Sequence, residues 1–138
     1  KLRVWDESSG MNTGQEHTCK IRNAPGTTSL KVTLVWSDPP AAPLSTKNLI
    51  NDLNLVVTNP AGIVYNGNDF VSPFNSATDS INNVEQVIIP SPTAGEYTIK
   101  IRGANIPMPR QPYALVVAQN KNPSPNGMPA EYRLSCSK

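Results

Sequence analysis

The sequence predicts an all-β protein, a two-sheet antiparallel β-sandwich of jelly-roll-like form with about eight or nine short strands. Two observations predict it. Apolar and polar residues alternate in run after run, which turns one face of each segment toward a core. Turn signals built on Pro, Gly and Asn separate these runs, and 14 of the 138 residues are proline while only 16% are charged. That composition suits many strands and argues against long helices. The length suits one domain with a sizeable core, so residues 1–138 are read as a single domain.

The elements follow in order. Residues 1–5 form a first strand with Leu2 and Val4 inward and Trp5 outward, and residues 8–14 form a polar turn region. Residues 16–22 alternate, with His17, Cys19 and Ile21 on one side, and end at the turn Asn23-Ala24-Pro25-Gly26. Leu30, Val32, Leu34 and Trp36 make a strongly apolar face, stopped by Asp38-Pro39-Pro40 because proline cannot donate to a ladder. Leu53, Leu55 and Val57 form the next inward set. A type I turn at Asn59-Pro60-Ala61-Gly62 then sends the chain back along residues 63–65.

Residues 66–80 make a long polar loop, with Phe70, Val71 and Phe74 as anchors onto the sheet. Residues 84–89 are a strand with apolar residues on both faces. Tyr97, Ile99 and Ile101 face inward on the next one, and Tyr97 stands where a tyrosine corner would place it. A proline-rich crossing leads to Tyr113, Leu115 and Val117. A last strand carries Tyr132, Leu134 and Cys136. Immunoglobulin-like and jelly-roll topologies both satisfy these patterns.

The net charge is +2 and the charges are scattered, which gives no case for nucleic acid or a membrane surface as partner. No apolar run approaches the ~18 residues of a membrane helix. Lys1 begins directly in a strand-like pattern, so the chain is expected to be mature, excised or truncated, and a monomer. The two cysteines, Cys19 and Cys136, each fall on the apolar phase of a strand. An even pair near the ends of a turn-rich domain reads as a disulfide and a secreted location; two buried thiols are the alternative.

Little in the chain points to catalysis. His17 is the single histidine and stands on an apolar phase, where a packing role outweighs that of a base. No nucleophile elbow, phosphate loop or zinc-ligand cluster is visible, so the chain alone is expected not to be an enzyme. The acidic and amide residues are more suggestive. Asp38 ends one strand and Asp52 begins the next, while Asp69, Asp79, Asn82, Asn83 and Glu85 lie in or after the long loop. Hard oxygen donors from loops are what calcium takes; solvated turn residues are the competing reading.

The blocks LKVTLVWSDPPAAP, LINDLNLVVTNPAG, VYNGN, NNVE, AGEYTIKIRGANIP and PYALVVAQ together resemble the C-terminal β-sandwich of subtilisin-like serine proteases, the subtilase family. The resemblance covers roughly residues 1–120 and leaves the tail 121–138 without a counterpart. It implies a jelly-roll domain similar to the P-domain of proprotein convertases, packed against its own N-terminal protease domain as partner. It also implies a non-catalytic role in folding, stability or substrate access of a secreted endopeptidase. Some members hold calcium, and the positions that match the family blocks are Asp38, Asp52, Asn83 and Glu85. The catalytic Asp, His and Ser of a subtilase belong to a domain outside this sequence. A carbohydrate- or protein-binding sandwich module is the alternative, although no row of outward aromatics is visible.

Overall fold

The computed structural model describes residues 1–122 and 133–138. Nine strands are found there: β1 (Leu2–Met11), β2 (Glu16–Asn23), β3 (Thr27–Val35), β4 (Asp52–Thr58), β5 (Val64–Asn66), β6 (Val84–Pro90), β7 (Gly95–Asn105), β8 (Gln111–Lys121) and β9 (Ser135–Ser137). They build a four-stranded sheet, β1-β8-β3-β6, and a five-stranded sheet, β5-β4-β7-β2-β9. Every pairing is antiparallel.

The order identifies the topology. β1 pairs with β8, β2 with β7, β3 with β6 and β4 with β5. These are the rungs of one long nested hairpin, and successive rungs fall in alternate sheets. Rolling such a hairpin on itself gives the jelly roll, which resolves the choice that the sequence pattern left open. β9 adds a strand at the free edge of β2, and Cys136 on it is disulfide-bonded to Cys19.

The inward sets of both sheets form one core. Leu30, Val32, Leu34 and Trp36 meet Leu53, Leu55, Val57, Tyr97, Ile99, Ile101, Leu115 and Val117 in it. Its apolar burial is the main drive for the fold. The turn after β4 is as expected: the Gly62 N–H donates to Asn59 O at 3.0 Å, and Gly62 has φ +88°. The Tyr97 hydroxyl donates to Thr93 O, four residues back, at 3.2 Å, as in a tyrosine corner.

Three expectations are corrected. In β1 the phase is reversed: Leu2 and Val4 are 64% and 61% exposed, whereas Trp5 packs against the core and Glu7 is buried. Register explains this, since Trp5 lies opposite Leu115 and Glu7 opposite Tyr113, both inward, while Leu2 and Val4 lie opposite Ala118 and Val116. Of the segment expected as a polar turn, residues 8–11 continue β1 instead, with a bulge between Glu7 and Met11 that drops Met11 into the core, while the turn itself is confined to residues 12–15. In the long loop only Phe74 anchors, stacked on Tyr65 at 5.7 Å; Phe70 and Val71 are exposed. Tyr132, expected on the last strand, lies outside the described residues.

Candidate functional site

The site begins with an incomplete edge. β4 is paired along its length with β7, but β5 covers its other edge only from Val56 to Thr58. The start of β4 therefore has main-chain groups to satisfy from elsewhere. Glu85 supplies the acceptor. It lies on the inward phase of β6, an outer strand of the opposite sheet, and its Oε2 accepts the Leu55 N–H at 2.7 Å. The Leu55 carbonyl in turn accepts the Gly67 N–H at 2.8 Å. Gly67 is needed there, because an added Cβ would lie 2.8 Å from Glu85 Cβ and closer still to Oε2.

The long loop is organised around acidic and amide side chains. Asn68 runs alongside β6: its N–H donates to Gln86 O, its Oδ1 accepts the Gln86 N–H, and its Nδ2 donates to Val84 O and to Asp79. Asp79 also accepts from the Ile81 and Asn82 amides and from Asn82 Nδ2. Asp69 accepts the Ser76 and Ala77 N–H groups. Gly67, Asn68, Asp69, Asp79, Ser80 and Asn82 line a depression of about 460 Å³.

Three oxygens at this corner are buried without a donor: Asp52 Oδ1, Asn54 Oδ1 and Glu85 Oε1. Asp52 and Asn54 alternate on the same face of β4. Glu85 is 1% exposed. Burial raises its pKa to about 8, against the lowering effect of the Leu55 N–H, and the charges of Asp79 and Asp52 add to the rise. Burial likewise raises that of Asp52, with Lys47 opposing and Asp79 reinforcing. In Asp79 burial is outweighed by its hydrogen bonds from Asn82, Asn68 and Ile81, and its pKa is lowered. The Asp79 charge thus raises both Glu85 and Asp52, and at Asp52 the Lys47 charge opposes it.

The four positions marked by the family blocks divide. Asp52 and Glu85 meet at this corner. Asp38 spends both oxygens on main-chain donors, Ile50 N–H at 2.8 Å and Asn51 N–H at 2.7 Å, and so clips the loop between β3 and β4. Asn83 extends the β3–β6 ladder: its carbonyl accepts the Trp36 N–H and its Nδ2 donates to Trp36 O. Among the described residues no three Asp, Glu, His or Cys side chains converge where they could share a metal. Asn54 and Gly67 were not singled out from sequence. The alternation of Asp52 and Asn54 around Leu53 is the available signal for Asn54, and for Gly67 it is its place in the VYNGN block.

His17 has a different environment. Its Nδ1 lies 2.7 Å from the Tyr113 hydroxyl, both residues are buried, and burial lowers the imidazole pKa while Glu7 opposes. Burial therefore favours the neutral form of the ring.

No protein-family model matches the chain. Three curated relatives from Dictyostelium discoideum do align with it. Serine protease/ABC transporter B family protein tagA is 37% identical over 94 residues, covering 64% of this chain and 5% of the relative. The tagD and tagB proteins of the same name are 34% and 33% identical, each covering 84% of this chain and 7% of the relative. This chain is homologous to a segment of serine protease/ABC transporter proteins. It spans 5% to 7% of their length.

Proposed function

We propose that this jelly roll is the non-catalytic C-terminal domain of a secreted, subtilisin-like serine endopeptidase, similar to a P-domain, and that it packs on the protease portion of the same polypeptide. The observation that carries this reading is the homology to a small segment of proteins named as serine proteases. The Cys19–Cys136 disulfide is compatible with an extracellular setting.

The two outer faces of the sandwich support a packed domain and suggest which side is covered. On the β2–β7 side the outer face is polar and ion-paired, with Lys20 to Glu96, and Lys100 and Arg102 to Glu16. On the other sheet, register sets Leu2, Ala118, Lys31 and Ile88 in one row and Val4, Val116, Thr33 and Gln86 in the next. A third row is Asp6, Ala114, Val35 and Val84. The exposed apolar residues Leu2, Val4, Val35, Val84 and Ile88 on this face are interspersed with Asp6, Lys31, Thr33 and Gln86. Exposed apolar side chains gathered on one sheet face suit an interaction surface, and the occupant assigned here is the protease portion. A carbohydrate-binding module is disfavoured because Trp36 is buried and Trp5 packs against the core.

The test has two steps. The coding sequence upstream of Lys1 is read for a continuous frame into a subtilase domain; its absence sinks the reading. In that parent, the double substitution Val4→Ser/Ile88→Ser is expected to lower the thermal stability of the protease while the isolated jelly roll melts as before. An unaffected parent would remove the assignment of this face.

A further inference from the structure

We propose that residues 133–138 form a thiol-controlled strap: cutting the Cys19–Cys136 bond releases them from the flank of the sandwich while strands β1 to β8 keep their fold. The inference does not depend on the protease reading. The strap carries β9 and lies across the gap between the two sheets. On one side Ser135, Cys136 and Ser137 pair with Lys20, Cys19 and Thr18 of β2. On the other, Lys138 Nζ reaches β1 of the opposite sheet, 3.0 Å from Glu7 Oε1 and 2.6 Å from Ser9 Oγ. Leu134 and Cys136 pack against the core.

The eight other strands close without the strap. The rungs β1–β8, β2–β7, β3–β6 and β4–β5 complete the jelly roll, and β9 only extends one sheet at its edge. Its own hold is small. The ladder has three residues, and the lysine of the ion pair is 56% exposed, so water screens much of its attraction to Glu7. Short terminal segments stay ordered only where something ties them down. Here the tie is the disulfide, between residues directly opposite each other on neighbouring strands.

The bond is reachable from one side. Cys19 is fully buried, whereas Cys136 is half-buried on an edge strand. A dithiol reductant therefore attacks at Cys136 Sγ. Its thiolate forms a mixed disulfide with Cys136, and the Cys19 sulfur leaves with the electron pair of the S–S bond and takes a proton. The second thiol of the reductant then displaces Cys136, which also ends as a thiol, and the reductant becomes a disulfide. Release strips Glu7 of its counter-charge. It also uncovers the outer edge of β2, which no other strand among the described residues covers, and a bare strand edge accepts an extended chain.

Hydrogen exchange of the whole folded chain, without denaturant and with or without dithiothreitol, tests the strap. On reduction the amides of residues 135–137 are expected to exchange faster by about tenfold or more, while β3 and β8 keep their protection. Cys136→Ser should show the released strap with no reductant present. Lys138→Ala, with the disulfide intact, should leave the strap protected. The proposal is overturned by a disulfide that survives millimolar dithiothreitol in the folded chain, or by a strap that stays protected once the bond is cut. Loss of protection in β3 and β8 together with the strap, or a strap already released in Lys138→Ala, would overturn it equally.

Discussion

The Nδ1 atom of His17, on β2, and the hydroxyl of Tyr113, on β8, lie 2.7 Å apart and join the two sheets inside the core. With the imidazole neutral, the phenol can donate and Nδ1 accept. Burial also pushes the Tyr113 pKa up, so the donor stays protonated. Tyr113→Phe removes the donor, keeps the ring and leaves Nδ1 unpartnered. The expected loss is about 1–3 kcal/mol, the usual cost of a buried polar group left unsatisfied. Urea unfolding measures it: the midpoint should fall with the slope unchanged. An unmoved midpoint would mean that water replaces the phenol.

The same pair predicts a pH dependence. The folded-state pKa of His17 lies below its ordinary value of 6.5, so the unfolded chain binds the proton more readily. Stability from this group is therefore complete above 6.5 and is lost as pH falls from there toward the folded pKa. Glu85 and Asp52, whose values are raised, act in the opposite sense. For that reason wild type is compared with His17→Gln at each pH, and the difference isolates the imidazole. The wild-type advantage should shrink below pH 6.5. A constant difference from pH 8 to pH 5 would contradict the assignment.

The disulfide makes a third prediction. β9 has three residues, paired with Thr18, Cys19 and Lys20, so its ladder alone is short. The cross-link closes a sequence separation of 117 residues. The chain-entropy account gives ~4–5 kcal/mol for a loop of that size. Cys19→Ala/Cys136→Ala should therefore unfold at markedly lower urea, and reductant should bring wild type to the same region. Reductant should leave the double variant unmoved. Equal midpoints for wild type and variant would mean that the unfolded chain is already constrained.

Alternation read most strands with the right phase because their apolar and polar sets separate cleanly, as Leu30, Val32 and Leu34 do against Lys31 and Thr33. It failed on β1, where Leu2, Val4 and Trp5 are all apolar and only the register against β8 decides which face the larger ring takes. The buried carboxylates were harder to read. Glu7 and Glu85 occupy inward positions that composition assigns to apolar residues; Glu7 is held by its neighbour Ser9 and by the distant Lys138, and Glu85 by the Leu55 amide of another strand. Asp38 and Glu85 look alike in a list of acidic residues, yet one clips a loop and the other retains a donorless oxygen.

That difference is itself testable. Asp38 satisfies two amides at the entrance to β4, and the next groups along, Asn51 Nδ2 and Oδ1, hold Met108 and Gln111. Asp38→Ala releases both amides and loosens the segment that ties the proline-rich crossing to the sandwich. A loss of about 1–3 kcal/mol is expected from the unsatisfied donors. Because the Asp38 oxygens face main-chain donors, the loss should be the same in calcium and in chelator, and any calcium shift of the midpoint should persist in this variant. Amide exchange at Ile50 and Asn51 should quicken with it. A variant that loses the calcium shift would instead make Asp38 a ligand, and a variant as stable as wild type would mean that the loop holds without its clip.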